Sequence, residues 1–282
     1  MKGIIVGVDE SCFSQAALRW AVGYGGDRDL PVTAVMAWDY VLQHHVDHDA
    51  PFDPTYGSET AAKVLDEVVR GAMGEGRNSG VAQVVIRDRA GPALIHAAGH
   101  DASLIVVGAR GMSGFKGLLL GSVSRYVLHA ATVPVAVIRR DASRVDAPVV
   151  VGVDGSAVSR RALEWAVAYA RSRGFQLIAL HAWIPPYNPM GLWAPPDLHK
   201  QAEAAERLLA DQLARVDESG LIGRIERRVK EQRASAALLE ASSLASMVVV
   251  GSRGRRPVSN TLLGSVSDQV SHYATCPVVV VP

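Results

Sequence analysis

Two stretches of this chain set glycine, glycine and glycine-serine at the same intervals. They are Gly108, Gly111, Gly121 and Ser122 in VVGARGMSGFKGLLLGSVS, and Gly251, Gly254, Gly264 and Ser265 in VVGSRGRRPVSNTLLGSVS. In each, an apolar run leads into Gly-x2-Gly, nine residues pass, and Gly-Ser opens a helical pattern. Glycine allows close approach to the main chain and tolerates positive φ, both expected at these positions; Gly108→Ala is expected to clash. A helix start presents amides that have no intrahelical partner, and the helix dipole favours negative charge there. Bare backbone nitrogen so placed binds anions, phosphate above all. Ser122 and Ser265 add a hydroxyl each and are the expected phosphate ligands, with Val123 and Val266 next along the helix.

The elements that must hold these loops follow from the apolar pattern. GIIVGV is a continuous apolar run ending at Asp9, and AALRWAVGYG after it has helical spacing, with Ser11 as N-cap and Gly25-Gly26 as the stop. VTAVMAW reads as a second strand. SETAAKVLDEVVRGAMGEG reads as a helix capped by Ser58 with Val64, Val68 and Val69 on its apolar stripe, and VAQVVIR as a third strand. PALIHAAGH is a short helix with Pro92 in its first turn, SLIVVG a fourth strand, residues 122–131 a helix and VPVAVIR a fifth strand. The second half repeats the order: VVVGVD, a helix over 160–173, QLIALHAW, a helix over 198–218, GRIERRVK, a short helix around 238–241, SMVVVG, a helix from Ser265 and PVVVV. Short strands apolar on both faces, alternating with helices, predict an α/β fold with a parallel sheet covered on each side. Ligands of such sheets lie beyond the carboxyl ends of the strands, where strand order reverses. Asp9, Asp154 and both glycine loops follow strand ends and belong on that rim.

A length of 282 residues suits two domains, placed by the repeat at 1–140 and 147–282 with a polar stretch from Arg139 to Ala147 between them. Lysine and arginine number 29 against 28 acidic residues, interspersed, so a nucleic-acid partner is not expected. No apolar run is long enough to span a bilayer and no leader precedes the first strand, so a cytoplasmic protein without membrane attachment is expected. Cys12 and Cys276 occupy unrelated positions of the two halves and read as packing residues, Cys12 also as a redox candidate.

Over essentially its whole length the pattern resembles the universal stress protein family in its tandem form, whose nucleotide-binding members carry Gly-x2-Gly-x9-Gly-(Ser/Thr). The resemblance implies two open-twisted, five-stranded parallel-sheet domains, Rossmann-like α/β sandwiches of the adenine nucleotide alpha hydrolase type. It implies ATP as ligand, with or without Mg2+, an Asp against the nucleoside at Asp9 and Asp154, and an adenine pocket using backbone and apolar surface at Ala37, Ala182, Val107 and Val250. It also implies pairing through the fifth strand, a homodimer of tandem chains, and action in stress adaptation through an unidentified regulatory protein partner. The aspartate role is chemically consistent: a carboxylate repels phosphate but accepts a hydrogen bond from a ribose hydroxyl or base amine.

Arg110, Lys116, Arg253, Arg255 and Arg256 are near enough in sequence to swing over a triphosphate, but none holds the lysine position of a P-loop. Nor does an acid, His or Gln stand where it would orient water, so binding with slow or no hydrolysis is expected. An ATPase or nucleotidyl transferase, and a dimerisation scaffold with vestigial sites, remain as alternatives. The second loop lacks counterparts of Gly114 and Gly117 and gains Pro257, so it is expected to be stiffer, with unequal affinities at the two sites. His44, His45 and His48 with Asp47, Asp49 and Asp53 read as a solvated loop rather than a metal site. The matching loop of the second half, with Tyr187, Met190 and Trp193, suits either packing over the sheet or a lid or partner surface. Trp20 and Trp165, at equivalent helix positions, read as core.

Overall fold

A computed structural model describes residues 3–38, 57–74, 80–111, 119–139, 146–185, 197–254 and 263–282. The chain forms two compact units, Met1–Ala142 and Ser143–Pro282.

The first unit runs β1 (Ile4–Gly7), α1 (Cys12–Gly26), β2 (Val32–Trp38), α2 (Ser58–Met73), β3 (Ala82–Arg87), α3 (Ala90–Ala98), β4 (Leu104–Gly108), α4 (Ser122–Ala130) and β5 (Val135–Ile138). Every pairing is parallel, in the order β3-β2-β1-β4-β5. The strand that enters first is therefore central: the chain winds outward through β2 and β3, then crosses back to add β4 and β5. The reversal lies between β1 and β4, where the peptide ends of the two strands diverge and leave a crevice. Helices α1 and α2 pack together on one face, α3 and α4 on the other.

The second unit repeats this as β6 (Val149–Gly152), α5 (Ala157–Arg173), β7 (Leu177–Trp183), α6 (Leu198–Leu213), β8 (Glu226–Glu231), α7 (Ala234–Ser242), β9 (Met247–Gly251), α8 (Ser265–Tyr273) and β10 (Val278–Val281). Its sheet order is β8-β7-β6-β9-β10, again wholly parallel, with the reversal between β6 and β9.

The apolar runs become strands because both faces are covered: β4 is buried at all five positions and Ile4, Val6, Leu104, Ile105, Val149 and Met247 lie in the cores. Outer strands differ. β3 exposes Ala82, Gln83 and Val84, and β8 carries Glu226, Arg227, Arg228 and Lys230, charges that discourage edge-to-edge association. Among the described residues no helix is long and apolar enough to cross a membrane.

Several local expectations are corrected. Gly57, not Ser58, is the N-cap of α2, and Ser58 is the first helical residue. The buried stripe of α2 is Ala61, Leu65, Val68, Val69 and Ala72; Val64 lies at its margin. Helix α6 stops at Leu213 rather than running on to 218, and the polar run that follows turns back at Gly220 and Gly223, both at positive φ. Trp20 and Trp165 are half-buried; each stacks on the tyrosine one turn on, Tyr24 or Tyr169, and it is the tyrosines that enter the core. Cys276 is buried, whereas Cys12 is partly exposed at the start of α1.

Candidate functional site

Helix α1 begins under its own cap: the Ser11 hydroxyl accepts the Ser14 N–H at 3.2 Å, and the Ser14 hydroxyl donates to the Asp9 carbonyl at 2.5 Å. The same serine fixes the carboxylate before it. Asp9 Oδ1 accepts the Ser11 N–H at 3.0 Å and the Ser11 hydroxyl at 2.5 Å, an Asx turn that holds Asp9 half-buried on the rim. In the second unit the Asp154 carboxylate accepts the Ser156 N–H at 2.9 Å, and Ser156 caps α5 through the Ser159 N–H at 3.1 Å.

Helices α4 and α8 start differently. Their N-cap residues are Gly121 and Gly264, extended at φ −76° and −80°, with no side chain capping either helix. The Gly121 amide donates to the Ala109 carbonyl at 2.7 Å, and the Gly264 amide to the Ser252 carbonyl at 2.7 Å, so each helix start is tied to the end of β4 or β9. The Ser124 hydroxyl adds a bond to the Gly108 carbonyl at 2.6 Å, and that of Ser267 one to the Ser252 carbonyl at 2.9 Å. Ser122 and Ser265 are exposed at the first helical position, their amides outside the intrahelical ladder.

At the motif glycines the expected clash at Gly108 is present, whereas the expected positive φ is not. None of the six lies at positive φ. A Cβ on Gly108 would meet the Phe13 main-chain carbon at 2.8 Å and its oxygen at 3.0 Å, so this glycine is needed where β4 passes the first turn of α1. On Gly251 the contact is Val158 Cγ1 at 2.9 Å. A Cβ on Gly111 would stand 2.5 Å from Asp9 Oδ2, and one on Gly254 2.6 Å from Asp154 Oδ2. Gly111 and Gly254 therefore lie directly over the carboxylate that follows the first strand of their unit.

Val107 and Val250 are 2 % and 3 % exposed, so their side chains belong to the core and offer a ligand no surface. Ala37 and Ala182 are the penultimate residues of β2 and β7. Their peptide groups have a readable direction. The Val35 carbonyl accepts the Val8 N–H at 2.9 Å, and peptide direction alternates along a strand, so Ala37 aims its N–H and C=O towards β1, which has already ended. Leu180 accepts from Val153 at 2.9 Å, and Ala182 is oriented likewise.

Ser124, Ser156, Ser267 and Phe13 are additions to the residues picked out in the sequence, and Ser11, expected as an N-cap, also holds Asp9; the twice-written GSVS was the signal for Ser124 and Ser267. Arg110 lies over the Phe13 ring, its guanidinium carbon 5.7 Å from the centroid. Lys116, Arg255, Arg256, Gly114, Gly117, Pro257, the histidine loop and Tyr187, Met190 and Trp193 lie outside the described residues. Among the described residues no group of three His, Cys, Asp or Glu is placed to hold a metal ion.

The model of the universal stress protein family matches residues 1–139 and again 147–282. The chain belongs to the universal stress protein family. A universal stress protein of Mycolicibacterium smegmatis is 35% identical over 300 residues, covering 99% of this chain and 96% of that one. One from Mycobacterium tuberculosis is 34% identical over 287 residues, covering 99% and 95%. The crystal structure of a universal stress protein from Archaeoglobus fulgidus superposes with a TM-score of 0.66 at 25% identity, covering 99% of this chain and 97% of that one. This universal stress protein is thus similar to its relatives along both repeats.

Proposed function

We propose that each unit binds one molecule of ATP and that the chain is a regulatory nucleotide binder of stress adaptation, acting through contacts with another protein that depend on occupancy. The observation that carries this reading is the pairing, repeated at 2.7 Å in both units, of an uncapped helix start with the strand end beside a fixed carboxylate. Phosphates would be held by the amides and hydroxyls of Ser122 and Ser265, with the amides of Val123 and Val266, where partial positive charge and unsatisfied donors coincide. Asp9 and Asp154 each accept from serine, and a carboxylate with several lone pairs would accept from ribose hydroxyls as well. An N–H and a C=O aimed the same way at Ala37 and at Ala182 match the acceptor N1 and the donor 6-amino group on one edge of adenine. Mg2+, if it accompanies the nucleotide, would be held mainly by phosphate and water, as is usual for this ion.

The test exploits proline, which lacks an N–H yet is tolerated at the first helical position. Gly121 and Gly264 are already extended, as residues before proline must be. Ser122→Pro with Ser265→Pro should leave the helical circular dichroism unchanged while abolishing ATP retention in equilibrium dialysis, against up to two ATP per chain in the parent. A parent protein, free of bound nucleotide, that retains no ATP would overturn the reading.

A further inference from the structure

Each uncapped helix start has an arginine beside it. A Cβ on the N-cap Gly121 would stand 3.5 Å from Arg110 Cα, and one on Gly264 3.4 Å from Arg253 Cα, so both side chains leave the main chain next to the amides of α4 and α8. Arg110 turns from there to the first turn of α1. Its carbonyl oxygen lies 3.5 Å from the Ser11 hydroxyl, and its guanidinium carbon lies 5.7 Å from the centroid of the half-buried Phe13 ring. Among the described residues that ring is the one partner of the guanidinium.

The second unit has no such ring. Phe13 and Val158 hold one place in the two units, since each is the residue that a Cβ on the first motif glycine, Gly108 or Gly251, would strike. An aromatic face attracts a cation through its quadrupole, and an isopropyl group has no quadrupole to offer. Phosphate oxygens attract the same guanidinium, whose planar fork matches them two at a time. In the first crevice, ring and phosphate therefore compete for Arg110.

We infer that Phe13 is a specificity-determining residue: it holds Arg110 back from the terminal phosphates of a nucleotide, so that the first site separates ATP from AMP less sharply than it would with valine at this place. This rests on the nucleotide-binding reading above. AMP has no β- or γ-phosphate for the guanidinium to reach, so its affinity does not depend on where Arg110 rests. ATP gains the arginine only by drawing it off the ring, and the lost cation–π contact lowers its affinity about two- to fivefold.

The test is titration calorimetry with ATP and AMP on the full chain carrying Ser265→Pro, so that only the first site is read, with AMP measured by competition against ATP. Phe13→Val places in the first unit the side chain that the second already carries there. It should tighten ATP about two- to fivefold and leave AMP unchanged, a gain that a disturbed fold cannot produce. Phe13→Tyr keeps a ring and should bind both nucleotides as the parent does. With Arg110→Gln also present, Phe13→Val should no longer change ATP affinity, because no guanidinium is left to release. An ATP affinity that Phe13→Val leaves unmoved or weakens, an equal change in ATP and AMP, or a gain that persists in Arg110→Gln overturns the inference while the two-site reading stands. Absence of ATP binding at either site in the parent chain overturns that underlying reading instead.

Discussion

Gly108 and Gly111 stand three residues apart in one motif and do different work. Gly108 faces the main chain of Phe13, which cannot yield without shifting the first turn of α1. Gly108→Ala should therefore destabilise by about 2 kcal/mol or more, read as a fall in urea midpoint at unchanged m-value. Gly251→Ala meets Val158 Cγ1 at 2.9 Å and the main chain of Val158 and Ser159 only at 3.2 Å, and should cost about half as much. Among the described residues Gly111→Ala meets only the Asp9 carboxylate, and its backbone is not left-handed. The expected result is a displaced Asp9, little change in stability, and a dissociation constant for ATP raised about tenfold at the first site. A variant at Gly108 that loses ATP thus says nothing about phosphate contact, whereas one at Gly111 reports on the carboxylate. If Gly111→Ala binds ATP like the parent, Asp9 is not at the nucleoside.

At the level of elements, the repeat itself records a compensated exchange. Gly91 at the start of α3 lies under Tyr126 of α4, whose Cδ1 would be 2.5 Å from an added Cβ. In the second unit the equivalent positions hold Ser235 and Gln269, a larger residue paired with a slimmer one. Gly91→Ser alone should lower the melting temperature by several degrees, and adding Tyr126→Gln should recover most of the loss; additive effects in this double-mutant cycle would refute the pairing. Such contacts explain what the sequence could and could not disclose. Strands and helices were legible because burial on both faces leaves continuous valine and isoleucine runs, and the crevice was legible because Asp9, Gly108, Gly121 and Ser122 recur at the same intervals. The packing of Gly108 on Phe13 was not, since no periodicity links a strand end to a helix start 95 residues earlier. Gly57 and Ser58 are both capping types, so adjacency hid which of them caps α2. His181 lies inside QLIALHAW, which the apolar pattern marks only as a strand.

For the molecule as a whole, two units with separate cores and separate crevices make ligand binding a local stabiliser. A ligand that binds only the folded state at a hundred times its dissociation constant adds about 2.7 kcal/mol to the unit that holds it. Saturating ATP should then slow amide hydrogen exchange in β1, β4 and α4 of the first unit and in β6, β9 and α8 of the second. In Ser122→Pro the first set should exchange as in the unliganded chain while the second keeps its protection; Ser265→Pro should give the reverse. This pattern separates two independent binders from a chain in which one site speaks for both, because coupling would carry protection into the unit whose site is blocked. It also bears on regulation: if each unit answers to its own ATP, a partner protein that reads both could distinguish empty, singly filled and doubly filled chains. Protection that appears in both units of Ser122→Pro would replace that graded picture with a single switch.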